Sequence, residues 1–381
     1  MTSSLLWLLL CLLLPALLLN LITYPSCSPA PTVGTSSSSS SLKVAVVADL
    51  HLAGPGTHWF DRFRRESFLQ STFRKIYWKL KPDALVVLGD VSDAGRKSND
   101  AQWDAVVSRF WSVIGPFVKG PLQVVVGNHD VGDHHDQGMQ ARLPRFAASF
   151  PGLDPTCCSR YNWKLIDFIS LNAMAMQGDH CSLCSDVEKV VEKHSVLVQQ
   201  HGQNRSHNNR SGPVLLLHLP LYREDDSACN SLDVPRCAPW HELEGSCLGV
   251  MASPPPVATP EEPYKVGQDV LSPDVSKYLL EALKPRLVLN GHTHRWCDHI
   301  HEDGTREITV SSLTWRNRDD PSFVIATFGA NSSIHIQHCM LAHESTVLTI
   351  YLMQGVSILI WALITGFVAH QRHRSKNTKP E

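Results

Sequence analysis

Short, unbroken apolar runs of strand length recur along this chain, with polar residues gathered just after them. Residues 43–48 (KVAVVA) are followed by 84–88, 122–126, 165–170, 214–217, 286–289, 308–311 and 323–327. Runs that do not alternate with polar residues predict strands covered on both faces. Between them, residues 60–80, 101–117, 186–200 and 273–283 are amphipathic at helical spacing. Strands alternating with helices predict a layered α/β sandwich.

Two longer apolar runs stand outside this pattern. Residues 347–368 carry no charge, which is long enough to cross a hydrocarbon core as a helix. Residues 5–22 are also uncharged and rich in leucine. This run suits a cleaved signal peptide, with small residues at Ser26, Ser28 and Ala30, or an uncleaved signal anchor. The missing basic flank and the length of the run favour the anchor. Between this run and the first strand, residues 24–41 are rich in Ser and Pro and end in serines 36–41, the composition of a flexible linker. Residues 224–267, with Pro254, Pro255 and Pro256 in a row, predict a long loop.

Charge and cysteine usage narrow the setting. With 34 basic and 36 acidic side chains, the chain lacks the basic footprint of a nucleic-acid binder. Arg372, Arg374, Lys376 and Lys379 follow the second long run, and basic flanks stay cytoplasmic, which predicts a lumenal domain between the two runs. Sequons at Asn204, Asn209 and Asn331 fit that side of the membrane. So do the cysteines, all but Cys11 of which follow the first run. Cys181 and Cys184 are spaced like zinc ligands, but no second pair completes a site, so a disulfide is expected there. The neighbours Cys157 and Cys158 are expected to pair with different partners.

The polar clusters sit where such a fold builds its site, past the carboxyl ends of strands. They are Asp49-Leu50-His51, Gly89-Asp90-Val91-Ser92-Asp93, Gly127-Asn128-His129-Asp130, His218-Leu219-Pro220 and Gly291-His292-Thr293-His294. Asp49 and His51, two apart on an extended chain, point the same way and grip one ion; His292 and His294 repeat that spacing. Asp90 has two oxygens and so bridges two cations. Asn128 offers a carbonyl oxygen and His218 a neutral imidazole. An all-nitrogen-and-oxygen set suits Mn, Fe or Zn. Any one of these motifs alone is an ordinary turn; five in this order, each ending a strand, are not. The loop residues Asp133, His134, His135 and Asp136 read as a mostly solvated segment.

The five motifs resemble the calcineurin-like metallophosphoesterases over residues 42–337. The resemblance implies a four-layer α/β metallophosphoesterase sandwich, central β-sheets flanked by helices, here with terminal transmembrane helices. It implies a metal-dependent phosphoric ester hydrolase with two divalent metal ions. Asp49, His51 and His294 would serve one ion, Asn128, His218 and His292 the other, with Asp90 between them. His129 would be the catalytic histidine that assists the leaving group, and Asp93 and Asp130 would orient the metal-bound groups or His129. The chain divides into 1–23 (signal anchor), 24–41 (linker), 42–340 (catalytic domain), 347–368 (transmembrane helix) and 369–381 (basic tail).

Further stretches, Trp59-Phe60-Asp61, residues 217–223, Cys181-Ser182-Leu183-Cys184 and Trp315-Arg316-Asn317-Arg318, resemble the metallophosphoesterases that remodel glycosylphosphatidylinositol (GPI) anchors. That resemblance implies a manganese phosphodiesterase that removes ethanolamine phosphate from the second mannose. It also implies GPI-anchored proteins as substrates, no obligate protein partner, and membranes from endoplasmic-reticulum exit sites through the ER–Golgi intermediate compartment to the Golgi. The tail departs from the family's paired-lysine retrieval pattern, with Lys379 preceded by Asn377 and Thr378. A diester is favoured because no arginine cluster adjoins the motifs, unless Arg96, Arg316 or Arg318 approaches in the fold. The competing readings are another lumenal phosphoesterase, for nucleotides or phosphoproteins, and a catalytically silent membrane cargo receptor. Loss of a ligand would mark the silent form, and none is lost.

Overall fold

The computed structural model describes residues 24–28, 41–133, 135–136, 138–154, 156–176, 182–202, 212–229, 263–329 and 333–377. Strands are β1 (Ser26–Cys27), β2 (Leu42–Val47), β3 (Ala84–Val87), β4 (Leu122–Val124), β5 (Ser159–Trp163), β6 (Ile166–Ser170), β7 (Val214–Leu216), β8 (Leu287–Asn290), β9 (Cys297–Ile300), β10 (Arg306–Thr309), β11 (Ser322–Phe328) and β12 (Ile334–Met340). Helices are α1 (Trp59–Lys75), α2 (Asp100–Val113), α3 (Asn128–Val131), α4 (Met139–Ser149), α5 (Ser182–Gly202), α6 (Pro273–Leu283) and α7 (Glu344–Asn377).

Two six-stranded sheets form, in the orders β1-β12-β11-β2-β3-β4 and β5-β6-β7-β8-β10-β9. Strands β2, β3 and β4 run parallel, as do β6, β7, β8 and β10; the remaining strands add antiparallel edges. The sheets share one core. Val44, Val46, Val86 and Leu88 from the first pack with Phe168, Leu216, Leu289 and Ile308 from the second. Each such side chain contributes about 1.5–3 kcal/mol on burial. The opposite faces are buried too, at Ala45, Val47, Leu85 and Val87, as strands joined by crossover helices require.

Local signals set the helix ends. Asn99 and Gln102 close a capping box on α2, and Ser272 caps α6 ahead of Pro273 at its first position. Helix α1 ends in a π turn at Ile76–Leu80, so the predicted stretch 60–80 is helical throughout. All eight predicted strands form. Four others, β1, β5, β9 and β12, were not expected. Strand β1 falls inside the stretch expected to be a linker and pairs with β12, joined by a Cys27–Cys339 disulfide. The folded unit therefore spans Ser26–Met340.

A second unit contains α7. Over Glu344–Gln371 this helix is long and apolar enough to cross a membrane, and it contains the predicted span 347–368. Residues 1–23, most of the stretch 24–41, the sequons at Asn204, Asn209 and Asn331, Cys181, His134, residues 230–262 and the end of the tail lie outside the described residues.

Candidate metal centre

The predicted site residues converge at the carboxyl edge of the parallel strands. Asp49 and His51 follow β2, Asp90 follows β3, Asn128 opens α3 after β4, His218 follows β7, and His292 and His294 follow β8. Gly89 and Gly127 make the approach possible. A Cβ on Gly89 would collide with the His218 ring, and one on Gly127 with the backbone nitrogen and Oδ1 of Asp90.

The side chains group around two centres. In one, His51 Nε2 lies 3.2 Å from His294 Nε2 and 3.8 Å from Asp90 Oδ2, while His294 Nε2 is 3.9 Å from Asp49 Oδ1. In the other, His218 Nε2 lies 3.0 Å from Asn128 Oδ1, 3.4 Å from Asp90 Oδ1 and 3.3 Å from His292 Nδ1. Asp90 thus turns one oxygen to each group. Donors around an ion bound at about 2.1 Å stand about 3.0–3.5 Å apart, close to these separations.

Two observations say that the residues fit cations. Asp49 Oδ1 and Asp90 Oδ2 are buried and have no hydrogen-bond partner among the described residues, a costly arrangement for a carboxylate unless positive charge sits beside it. The imidazoles are also held with lone pairs inward. His218 Nδ1–H donates to the Leu88 carbonyl at 2.7 Å and His292 Nε2–H to the Gln268 carbonyl at 2.8 Å, so His218 Nε2 and His292 Nδ1 face the centre. By contrast, the group Asp226, Cys229 and Cys297 offers no such set, because its cysteines form a disulfide.

Electrostatics tell the same story. Burial pushes the Asp49 carboxyl well above its usual range, reinforced by Asp90. Burial alone would raise Asp90, but His218 and His51 outweigh it and hold Asp90 well below the carboxylate range. The same carboxylates overcome burial at His218 and lift it to about 9. Burial lowers His292 to about 3, His294 to about 4, and His51 well below the ordinary imidazole value. Three imidazoles are thus kept neutral, the ligating form, beside carboxylates that draw positive charge.

The backbone is unusual here in a way the sequence did not reveal. Asp49, His51, Asp90, His292 and His294 all have positive φ, between 43° and 72°, where a non-glycine residue costs roughly 1–2 kcal/mol. The expectation that Asp49 and His51, and likewise His292 and His294, lie on extended chain is therefore corrected: each pair sits on a left-handed turn. The strain is retained by tertiary bonds. Ser312 Oγ donates to the Asp49 carbonyl at 2.9 Å, and the His292 N–H to Asp49 Oδ2 at 3.1 Å. Strain held in this way clusters at functional sites.

The outer residues find defined places. Asp130 is fully buried and accepts from the backbone N–H of Ser92 (2.9 Å), Gly127 (3.0 Å) and Val91 (3.3 Å), clipping the loops after β3 and β4 together; burial raises its carboxyl to about 7. Asp93 Oδ1 lies 3.6 Å from His51 Nδ1. The His129 N–H donates to Asp90 Oδ1 at 2.8 Å, and its Nδ1–H to the Asp93 carbonyl at 2.9 Å. The His129 ring meets the His51 ring edge-on at 4.9 Å.

Arginines do reach the rim. Arg316 Nε pairs with Asp93 Oδ2 at 3.0 Å, and buried Arg65 stands 3.9 Å from the same oxygen, so the motifs are not free of neighbouring arginine. Arg318 instead forks onto Asp320. Asn317 Nδ2, 3.1 Å from His294 Nε2, and the Gln268 carbonyl, 2.8 Å from His292 Nε2, were not foreseen as site contacts, although Asn317 lies in the Trp315–Arg318 stretch quoted for the resemblance. Asp136 pairs with Arg142 at 2.7 Å. Cys157 and Cys158 are free and buried, which corrects the expected pairing, whereas Cys184 is disulfide-bonded.

A family model for calcineurin-like phosphoesterases matches residues 42–296. Metallophosphoesterase 1 of Danio rerio is 36% identical over 348 residues, covering 88% of this chain and 83% of that protein. The protein of the same name from Cricetulus griseus is 34% identical over 334 residues, covering 84% and 78%. Among solved structures, a dimetal phosphatase from Danio rerio aligns over 80% of this chain and 99% of its own, at 10% identity and a TM-score of 0.46. The paired His/Asp cluster and the long match to these relatives lead to one conclusion: the chain belongs to the calcineurin-like phosphoesterase family and is a metal-dependent hydrolase with a binuclear type of site.

Proposed function

We propose that this hydrolase is a manganese phosphodiesterase of the secretory pathway. It removes ethanolamine phosphate from the second mannose of GPI anchors and so releases GPI-anchored proteins for transport to the Golgi. The observation that carries the chemistry is Asp90, with one oxygen turned to each cluster of nitrogen and oxygen donors. The substrate assignment is supported by the resemblance of the Trp59, Cys181 and Trp315 stretches to GPI-remodelling metallophosphoesterases. It is supported too by identity of about a third to proteins named Metallophosphoesterase 1.

In this reading Asp49, His51 and His294 would hold one cation and Asn128, His218 and His292 the other, with Asp90 offering an oxygen to each. When bound, the cations polarise the phosphoryl oxygens and make an attacking water nucleophilic near neutral pH. The chain's own residues do the rest. His129, fixed through Nδ1–H to the Asp93 carbonyl, presents Nε2 and delivers a proton to the departing sugar alkoxide. Asp93 steadies His51 and His129, and Asp130 keeps the two loops in register. Arg316 pairs with Asp93 and Arg65 with Asp61 as well as Asp93, so neither guanidinium is left over to take the second charge of a monoester. Helix α7 and the apolar segment 1–23 anchor the chain in ER exit-site, ER–Golgi intermediate and Golgi membranes, with the catalytic domain lumenal.

Mass spectrometry of GPI glycans from cells lacking the protein tests this directly. The expected result is retained ethanolamine phosphate on the second mannose, corrected by the wild-type chain and not by Asp90→Ala. Unchanged glycans would remove the substrate assignment.

A further inference from the structure

The strand register of the first sheet places three features on one edge. Val46 of β2 pairs with Val324 of β11, and Ser322, at the start of β11, pairs with Met340 at the end of β12. Met340 therefore lies level with Ala48, next to the ligand Asp49, and two strands away, about 10 Å at ordinary strand spacing. Ser26, where β1 begins, pairs with Met340 as well. The chain thus enters β1 and leaves β12 at the edge that carries the metal centre, and Cys27–Cys339 joins these two strands. Only Leu341, Ala342 and His343 separate β12 from α7.

The third feature is aromatic. Helix α1 follows the loop that bears Asp49 and His51 and begins on the same edge, because a crossover between the parallel strands β2 and β3 must start there. Its first residues expose three large rings: Trp59 is 65% exposed, Phe60 53% and Phe63 63%. Single exposed rings are commonplace, but these stand at i, i+1 and i+4 on the opening turns, where they share a face. Trp59 packs against Phe60 and against His58, each with ring centroids 5.7 Å apart. The helix stays tied to the site behind them: Asp61 pairs with Arg65, whose guanidinium donates to the His51 carbonyl at 3.3 Å.

We propose that Trp59, Phe60 and Phe63 form a dock that rests the catalytic domain on the surface of a lipid bilayer, with the metal centre's edge toward the membrane. Aromatic rings with Trp among them favour the boundary between headgroups and acyl chains. The register supplies the reason for choosing a bilayer over a protein partner, since the chain departs for its apolar helix from this same edge. The proposal rests on α7 crossing the membrane, and it assigns to these rings the presentation of membrane-borne substrates.

Two tryptophans separate the dock from the span. The full chain is reconstituted in palmitoyl-oleoyl phosphatidylcholine vesicles, with or without brominated acyl chains, as wild type, Trp59→Tyr and Trp361→Phe. Bromine should quench wild type more than either variant, so that Trp59 and Trp361 each show quenched emission. In Phe60→Ser/Phe63→Ser the quenching of Trp59 should fall at least about twofold, while hydrolysis of bis(p-nitrophenyl) phosphate stays within about twofold of wild type. Quenching of Trp361 without Trp59 overturns the dock and keeps the span. Quenching of Trp59 without Trp361 keeps the dock and removes the span, and quenching of neither overturns both. Trp59 shielded from aqueous acrylamide yet not quenched by bromine marks a face covered by protein, which also overturns the dock.

Discussion

If His129 is the proton donor of the proposed function, replacing it by alanine should separate proton transfer from metal binding, because its backbone N–H and its ring make different contacts. Its N–H holds Asp90 Oδ1 at 2.8 Å, and alanine keeps that bond. Its ring is held by one hydrogen bond to the Asp93 carbonyl and an edge contact with His51. Losing the ring bond costs about 0.5–1.5 kcal/mol of stability, too little to unfold a domain with this core. Losing the proton donor costs far more in rate, about 10²–10⁴-fold, equivalent to about 3–5 kcal/mol of barrier. The assay is kcat across diesters of rising leaving-group pKa, run beside metal content per chain. The expected result is an unchanged metal content and a rate loss that shrinks as the leaving group improves, since a good leaving group needs no proton. Equal slowing of activated and unactivated diesters, or loss of metal, refutes the assignment.

Other outcomes follow from the same structure. Asp130→Ala leaves the N–H groups of Val91, Ser92 and Gly127 without their buried acceptor, so thermal unfolding should show a loss of at least about 1–3 kcal/mol; an unchanged Tm would mean that the clip does not matter. His338, stacked on Trp296 at 4.0 Å and bonded to Ser322 Oγ, is lowered by burial from 6.5 to about 4. The unfolded chain therefore binds the extra proton first, and between pH 6.5 and 4 falling pH should remove up to about 3 kcal/mol of stability. His338→Gln should flatten that slope, and an identical slope in the variant contradicts the reasoning. Cys157 and Cys158 are buried, with Cys158 pushed up to about 12 and Cys157 raised further by burial. Peptide mapping after iodoacetamide should find both modified only once the protein is unfolded, and labelling of the native protein would contradict their burial. In sealed microsomes the catalytic domain should resist protease and lose mass with endoglycosidase; digestion with no mobility change would reverse the topology.

How much of this was legible in the sequence depends on what each residue contacts. The parallel strands could be read because burial on both faces leaves an unbroken apolar run, as in the 43–48 and 84–88 segments. Strands β9 (CDHI) and β12 (IHIQHCM) escaped notice because they are polar and carry functions other than filling the core, such as the Cys229–Cys297 and Cys27–Cys339 bridges. The site was legible as five motifs, because metal chemistry demands particular donor atoms. Its backbone was not. The positive φ at Asp49 and His51 arises from bonds to Ser312 and Asp90, partners that residue type does not announce. Gln268 reaches the site from a loop whose sequence carries no trace of the contact, and Asn317 lies in a stretch the resemblance marked without giving that residue a role.

The central claim is that one carboxylate, Asp90, joins two cation sites, and metal stoichiometry tests it most directly. Wild type and Asp90→Ala are dialysed against limiting free manganese, and metal per chain is measured by plasma mass spectrometry alongside circular dichroism. The account predicts two ions per wild-type chain, at most one in a folded Asp90→Ala, and no measurable diester hydrolysis by the variant. A folded Asp90→Ala that keeps two ions and the wild-type rate would contradict it.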